Sequence, residues 1–278
     1  MKISKKESRS KYRSIASGTR LLVCGKGGSG KSSIVTLMAN VLTDKGYKVL
    51  VLDADASNPG GLSRLLCGLK KGPSPLIEFF GGRKKVECPV DNPSPLTRQG
   101  ETIPITKKNI DIMEIPPEYF FRKGNLIFFQ VGKIHKACEG CDGPMSKVTR
   151  DFLVKGNQIT IIDVEAGIEH FGRGVEKNID IVFVVVDPSA ESFAIAEKVS
   201  KLCRDIGVKK VWAILNKVKS KELETLMISG LRKKKVKILG TIYDDPEVAN
   251  ANLLGKQLGN CSAKYNVKRI IEILEERL

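Results

Sequence analysis

The sequence predicts an α/β fold, a doubly wound and mostly parallel sheet flanked by helices. Three observations carry that prediction. Continuous apolar runs recur along the chain, amphipathic segments separate them, and the first run ends in a glycine-rich loop. Runs without polar alternation mark parallel strands covered on both faces. Strand–helix alternation of this kind winds into one sheet with helices on either side.

The elements follow in order. "RLLVCG" (20–25) is a first buried strand, and "SGKSSIVTLMANVLTDKG" (29–46) repeats apolar residues at helical spacing. "YKVLVLDAD" (47–55) is a second buried strand that ends in acids. "QITIIDVEAG" (158–167), "IDIVFVVVD" (179–187) and "KKVWAILNK" (209–217) are further strands. Residues 189–207, 221–234 and 263–278 read as amphipathic helices. Eight of the twelve prolines fall between 73 and 117, so about 70–117 is an irregular excursion from the sheet, with "NIDIMEIPP" (109–117) a candidate strand returning to it. Residues 1–18 form a basic, flexible arm, and 19–278 a single domain.

Composition bounds the function. With 41% hydrophobic and 28% charged residues, the chain is an ordinary globular one. No apolar run approaches the roughly 20 residues that cross a bilayer, and no apolar stretch follows the basic N-terminus as a secretory signal requires. The expectation is a cytoplasmic protein with free thiols. The net charge is +16, and the first 20 residues carry seven basic and one acidic side chain. No aromatic interleaving or nucleic-acid motif accompanies that surplus, so solvated lysine is the reading and nucleic acid is not the expected partner.

"GKGGSGKS" (25–32) fits G-x-x-x-x-G-K-[ST], directly after a strand and opening a helix. Its residues Gly25, Lys26, Gly27, Gly28, Ser29, Gly30, Lys31 and Ser32, with Ser33 behind them, form a nucleotide cradle. Backbone N–H groups curl around phosphates there, and the helix N-terminus adds a favourable field. Lys31 reaches the β- and γ-phosphates, and the Ser32 hydroxyl completes the shell of Mg²⁺. The expected substrate is ATP and the expected activity its hydrolysis to ADP and phosphate.

Lys26 makes the loop K-G-G-x-G-K-S. This resembles the deviant Walker A loop of the ATPase group that includes the nitrogenase iron protein, MinD, ParA and the Mrp-type carriers. The resemblance implies that Lys26 reaches across a dimer to the partner's nucleotide. "DADASN" follows the second strand where the first switch belongs, and Asp55 is the candidate for polarising the attacking water, with Asp53 in support. In "IIDVEAG", Asp163 fits the acid that holds Mg²⁺, and the Gly167 N–H fits a γ-phosphate sensor. The resemblance also implies that Asn216, in "LNK", contacts adenine.

Cys138 and Cys141 stand as C-x-x-C before a predicted helix at 142–156, with Asp142 near its N-cap and Pro144 in its first turn. Two thiols are half of a tetrahedral metal site. Cys24, Cys67, Cys88, Cys203 and Cys261 are scattered and read as small buried or half-buried residues, so no other clustered cysteine completes it. A two-fold homodimer does, by bringing the pair from each subunit to its axis. Thiols just ahead of a helix N-terminus ionise more easily, and the thiolate binds metal. A redox dithiol and two plain cysteines are the alternatives, the first wanting a thioredoxin-like context that is absent here. His135 is a spare ligand or a surface residue.

"KGGSGKS", "DADASN", the cysteine pair, "DVEAGIEHFGRG" and "YDDPEVANANLLGKQL" together resemble the CooC family, ATPases that assist nickel insertion into carbon monoxide dehydrogenase. The resemblance runs from about Leu21 to the C-terminus. It implies a metal site shared by two subunits and carbon monoxide dehydrogenase as client. The family's pair is C-x-C, whereas this chain has C-x-x-C, a bite that also suits an iron–sulfur cluster. Ni²⁺, Zn²⁺ and a [4Fe-4S] cluster are all candidates, since soft thiolates accept each. Two other functions compete with a metallochaperone: an ATP-gated iron–sulfur electron donor or cluster carrier, and a ParA-like partition ATPase that binds DNA.

Overall fold

The computed structural model describes residues 14–58, 60–97, 110–136 and 138–278, apart from the side chains of Glu169 and Glu176. Most of the basic arm, and residues 98–109 of the proline-rich segment, lie outside the described residues. Ile15, among the described residues of the arm, is buried and donates its N–H to the Tyr47 hydroxyl at 3.2 Å.

Eight strands form one sheet among the described residues. They are β1 (Arg20–Gly25), β2 (Val49–Ala54), β3 (Phe120–Lys123), β4 (Leu126–Gln130), β5 (Ile159–Val164), β6 (Ile181–Val186), β7 (Lys210–Val218) and β8 (Ile238–Tyr243). Their order is β3-β4-β2-β5-β1-β6-β7-β8. Only the β3–β4 hairpin at one edge is antiparallel. The doubly wound α/β expectation therefore holds.

Alternate residues of the central strands feed opposite layers. Leu22, Leu50, Leu52, Ile162 and Val182 join one core, with Met145, Val148, Val199 and Leu231. Leu21, Val51, Ile161 and Phe183 join the other, under α1 (Lys31–Asp44) and α9 (Ser262–Arg277). This two-sided burial is why the strands read as unbroken apolar runs. Each fully buried Val, Leu or Ile contributes about 1.5–3 kcal/mol.

Two local expectations are corrected. "NIDIMEIPP" is not a strand: Ile110 makes an isolated bridge to Val154, and a 3₁₀ turn at Ile112–Glu114 follows, closed by an Asp111–Glu114 capping box. A short polar cap outcompetes sheet pairing there. The helix after the cysteines is α4 (Gly143–Asp151), which stops short of residue 156, and Val154 then returns to the Ile110 bridge. The β3–β4 hairpin and β8 had no clear sequence signal.

All the parallel strands point their carboxyl ends the same way. The loops leaving β1, β2, β5, β6 and β7 gather at that edge, where open α/β sheets place ligands.

Candidate functional site

The glycine loop joins β1 to α1, and its glycines are dictated by space. Gly25 has φ +143, and a Cβ there would lie 2.5 Å from the Val185 carbonyl oxygen of β6. Gly30 is the helix N-cap at φ +99, and a Cβ there would collide with Asn216 Nδ2. Both positions require glycine.

A cavity of about 690 Å³ opens over this loop. Gly28, Gly30, Lys31, Ser32, Asp55 and Asn216 line it. That volume suits a nucleotide. The Lys31 ammonium contacts the Lys26 carbonyl at 3.3 Å, inside the loop it is meant to fill.

The Ser32 hydroxyl donates to Asp163 Oδ2 at 2.6 Å, joining α1 to the end of β5. Asp163 is fully buried, and its Oδ1 has no partner among the described residues. Burial, with Asp53 adding repulsion, pushes this carboxyl up to about 7. An orphaned carboxylate oxygen beside a serine hydroxyl fits a hard, oxygen-seeking cation, so Ser32 and Asp163 suit Mg²⁺.

Other predicted residues are engaged in ways the sequence did not show. Asp55 Oδ1 accepts from Ser57 N, Ser57 Oγ and Asn58 N at 3.0, 2.7 and 3.2 Å, forming a tight turn that faces the cavity. The Gly167 N–H donates to the Gly25 carbonyl at 3.3 Å, so the expected phosphate sensor is tied to the glycine loop in this state. Asn216 is buried and donates to the Ser29 carbonyl at 2.7 Å. Lys26 lies 3.3 Å from Asp187 and 3.8 Å from Glu191, and donates to the Ser189 hydroxyl. Burial works to raise Asp187, yet hydrogen bonds from Ser189, Ser192 and Lys26 outweigh it and hold the carboxyl below its usual range.

Sequence reasoning missed Lys133. It sits three residues after β4, buried, with its ammonium 2.8 Å from both carboxylate oxygens of Asp53 and 2.5 Å from the Asp55 carbonyl. The Ile134 N–H donates to the Ala56 carbonyl beside it. The turn after β2, the expected first switch, is thereby fastened to the segment that leads to Cys138. A lone lysine after a strand carries no periodicity or motif, so nothing in the sequence marked it.

The segment after β5 that carries Gly167 and Arg173, the expected second switch, is fastened to the same segment from the other side. Asp142 is the N-cap residue of α4, as expected, but its side chain caps no N–H. It pairs instead with Arg173 of "EHFGRG". The thiols lie between these two ties. Cys138 and Cys141 are both exposed. Cys138 has φ +62, a conformation that non-glycine residues seldom adopt. The loop is closed by Glu139, which accepts from the N–H groups of His135 and Lys136 at 2.6 and 3.1 Å. The His135 side chain is exposed. Among the described residues no three His, Cys, Asp or Glu side chains form a metal site. Cys88, in the proline-rich segment, comes near Cys141: a Cβ on Gly143 would lie 2.6 Å from Cys88 Sγ and 3.3 Å from Cys141 Sγ.

The sheet, the glycine loop and the Ser32–Asp163 contact define a P-loop ATPase. Residues 21–258 match the family model CbiA, the CobQ/CobB/MinD/ParA nucleotide binding domain, and the chain belongs to that family. An uncharacterized ATP-binding protein of Methanocaldococcus jannaschii is 37% identical over 92% of this chain and 99% of its own. The carbon monoxide dehydrogenase accessory protein CooC of Rhodospirillum rubrum is 31% identical over 72% of this chain and 75% of its own. Among solved structures, the cell division ATPase MinD of Pyrococcus furiosus shares the fold with a TM-score of 0.66, at 16% identity, over 94% of this chain and 100% of that one. No helix among the described residues is long and apolar enough to cross a membrane.

Proposed function

We propose that the protein is an ATP-driven metallochaperone. It binds a thiophilic metal through Cys138 and Cys141 of two subunits and delivers it to a client metalloenzyme. The observation that carries this reading is the double attachment of the thiol loop. Lys133 ties it to Asp53 and Asp55 on the first switch, and Arg173 ties the second switch to Asp142, the residue after Cys141. A change at either switch therefore moves the thiols. The similarity to the carbon monoxide dehydrogenase accessory protein of Rhodospirillum rubrum supports that enzyme as the client, and the CooC resemblance implies nickel as the cargo.

The nucleotide chemistry is phosphoryl transfer to water. Lys31 stabilises charge on the β- and γ-phosphates, and Asp55 orients the attacking water. Ser32 and Asp163 would hold Mg²⁺, which would supply neutralising charge on the phosphates. Lys26 leaves Asp187 and turns toward the partner's nucleotide, which couples ATP binding to dimer closure. Gly167 leaves the Gly25 carbonyl to meet the γ-phosphate, and Asn216 faces the base.

Metal analysis of protein purified without oxygen, with and without ATP, tests the reading. The expected result is an increment of Ni²⁺ or Zn²⁺ binding on adding ATP, which Cys138→Ser and Cys141→Ser each remove with nucleotide binding intact. A brown, redox-active sample would favour an iron–sulfur carrier or electron donor instead. Metal binding untouched by both substitutions would overturn the thiol site.

A further inference from the structure

Cys88 lies in the proline-rich segment, far in sequence from the C-x-x-C pair. Gly143, the first residue of α4, reveals how close it comes. A Cβ added there would lie 2.6 Å from Cys88 Sγ and 3.3 Å from Cys141 Sγ. Two sulfur atoms from distant parts of the chain thus crowd one point. Gly143 is absent from the glycines with positive φ. Its backbone does not demand glycine; the two thiols do.

The juxtaposition is pinned on both flanks. Arg83, before Cys88, donates to the carbonyl of Glu139, before Cys141. Lys147, after Cys141 and buried, donates at 3.0 Å to the carbonyl of Asn92, after Cys88. The Cys88 carbonyl itself accepts from Asp91 and Asn92 at 3.1 and 2.8 Å, so the turn at Pro89 fixes the cysteine backbone. Cys88 is half-buried while Cys141 is exposed. One sulfur is sheltered and its neighbour faces solvent, an arrangement through which an ion can enter and be held.

We propose that Cys88 is a thiol ligand of the cargo site, paired with Cys141 within a single protomer, and that this pair takes up a soft, thiophilic cation before the dimer closes. Thiolate sulfur selects such cations over Mg²⁺ or Ca²⁺. Cys141 is then common to two pairings, with Cys88 in the open protomer and with Cys138 at the dimer axis. Cargo passes between them by exchange of one thiolate for another, with no change of oxidation state. The proposal rests on the carrier reading for its purpose and adds the residue that loads the carrier.

The test is a titration of the full chain with Cd²⁺, anaerobically and without nucleotide, following the thiolate-to-cadmium charge-transfer band. Wild type should give this band without nucleotide. Cys88→Ser and Cys141→Ser should each weaken binding by at least the roughly 10–100-fold that loss of even an outer-shell partner costs. Gly143→Ala should weaken it too, with every thiol still present. A Cys88→Ser protein that binds Cd²⁺ like wild type overturns the proposal. Should that variant fail to fold, bridging wild-type thiols with dibromobimane decides the matter. A fluorescent peptide pair joining Cys88 to Cys141 supports it, and one joining only Cys138 to Cys141 refutes it. Failure of the carrier reading is separately visible, as ATP-loaded wild type that binds no metal.

Discussion

Lys133 Nζ stands 2.8 Å from each carboxylate oxygen of Asp53, with the two side chains only 2% and 1% exposed. A buried pair of this kind is costly to break, because the survivor keeps an uncompensated charge away from water. Lys133→Ala is therefore expected to cost about 3–5 kcal/mol in urea unfolding. The double change Lys133→Met with Asp53→Asn removes both charges and should recover much of that loss. A cost near zero for the single variant would show that the first switch is not anchored this way.

Lys31 is buried in the phosphate loop, its ammonium 3.3 Å from the Lys26 carbonyl. Lys31→Ala should lower ATP turnover by about 10²–10³-fold, the loss typical of a charge-stabilising group. Asp163→Asn should raise the Mg²⁺ concentration needed for half-maximal turnover. Steady-state phosphate release across a Mg²⁺ series reads both effects.

Lys26 is held by Asp187 in the protomer and is needed, on this account, by the partner's nucleotide. Lys26→Ala should leave ATP binding by the dilute protomer unchanged while removing the rise of turnover with protein concentration. Asp187→Asn releases the lysine and should shift that rise to lower concentration. Turnover of wild type that is independent of concentration would contradict a trans-acting Lys26.

His170 is buried, and its Nε2 has no partner among the described residues. Burial first, then the charges of Arg173 and Lys31, push the imidazole down to about 3. The unfolded chain therefore binds the proton more readily than the folded one. His170 should therefore contribute a fall in stability as pH drops from about 6.5 toward about 3 and nothing further above 6.5, while the raised Asp163 carboxyl contributes the opposite slope below about 7. His170→Gln should flatten that part of the profile. An unchanged slope in urea midpoints across this window would refute the assignment.

The fold was largely legible because parallel strands buried on two faces have a strong apolar signature, seen in "VLVL" of β2 and "IVFVVV" of β6. The glycine loop was legible because Gly25 and Gly30 sit where any side chain would collide. The weaker signals belong to contacts between distant segments. Lys133 reaches Asp53 across 80 residues, Arg173 reaches Asp142 across 31, and Cys88 meets Cys141 through a segment without regular structure. Such pairs have no periodicity, because the tertiary fold alone creates them. "NIDIMEIPP" misled for the opposite reason: its apolar alternation was real, but a local Asp111 cap took the backbone into a turn.

The central claim is that ATP brings the thiols of two subunits together. A short thiol-to-thiol cross-linker applied to anaerobic protein, with and without a non-hydrolysable ATP analogue and Mg²⁺, tests it most directly. The account predicts a covalent dimer joined through Cys138 or Cys141, formed in the nucleotide sample and lost when both cysteines are serine. A chain that stays monomeric under saturating nucleotide, with those thiols still reactive toward solvent, would contradict it.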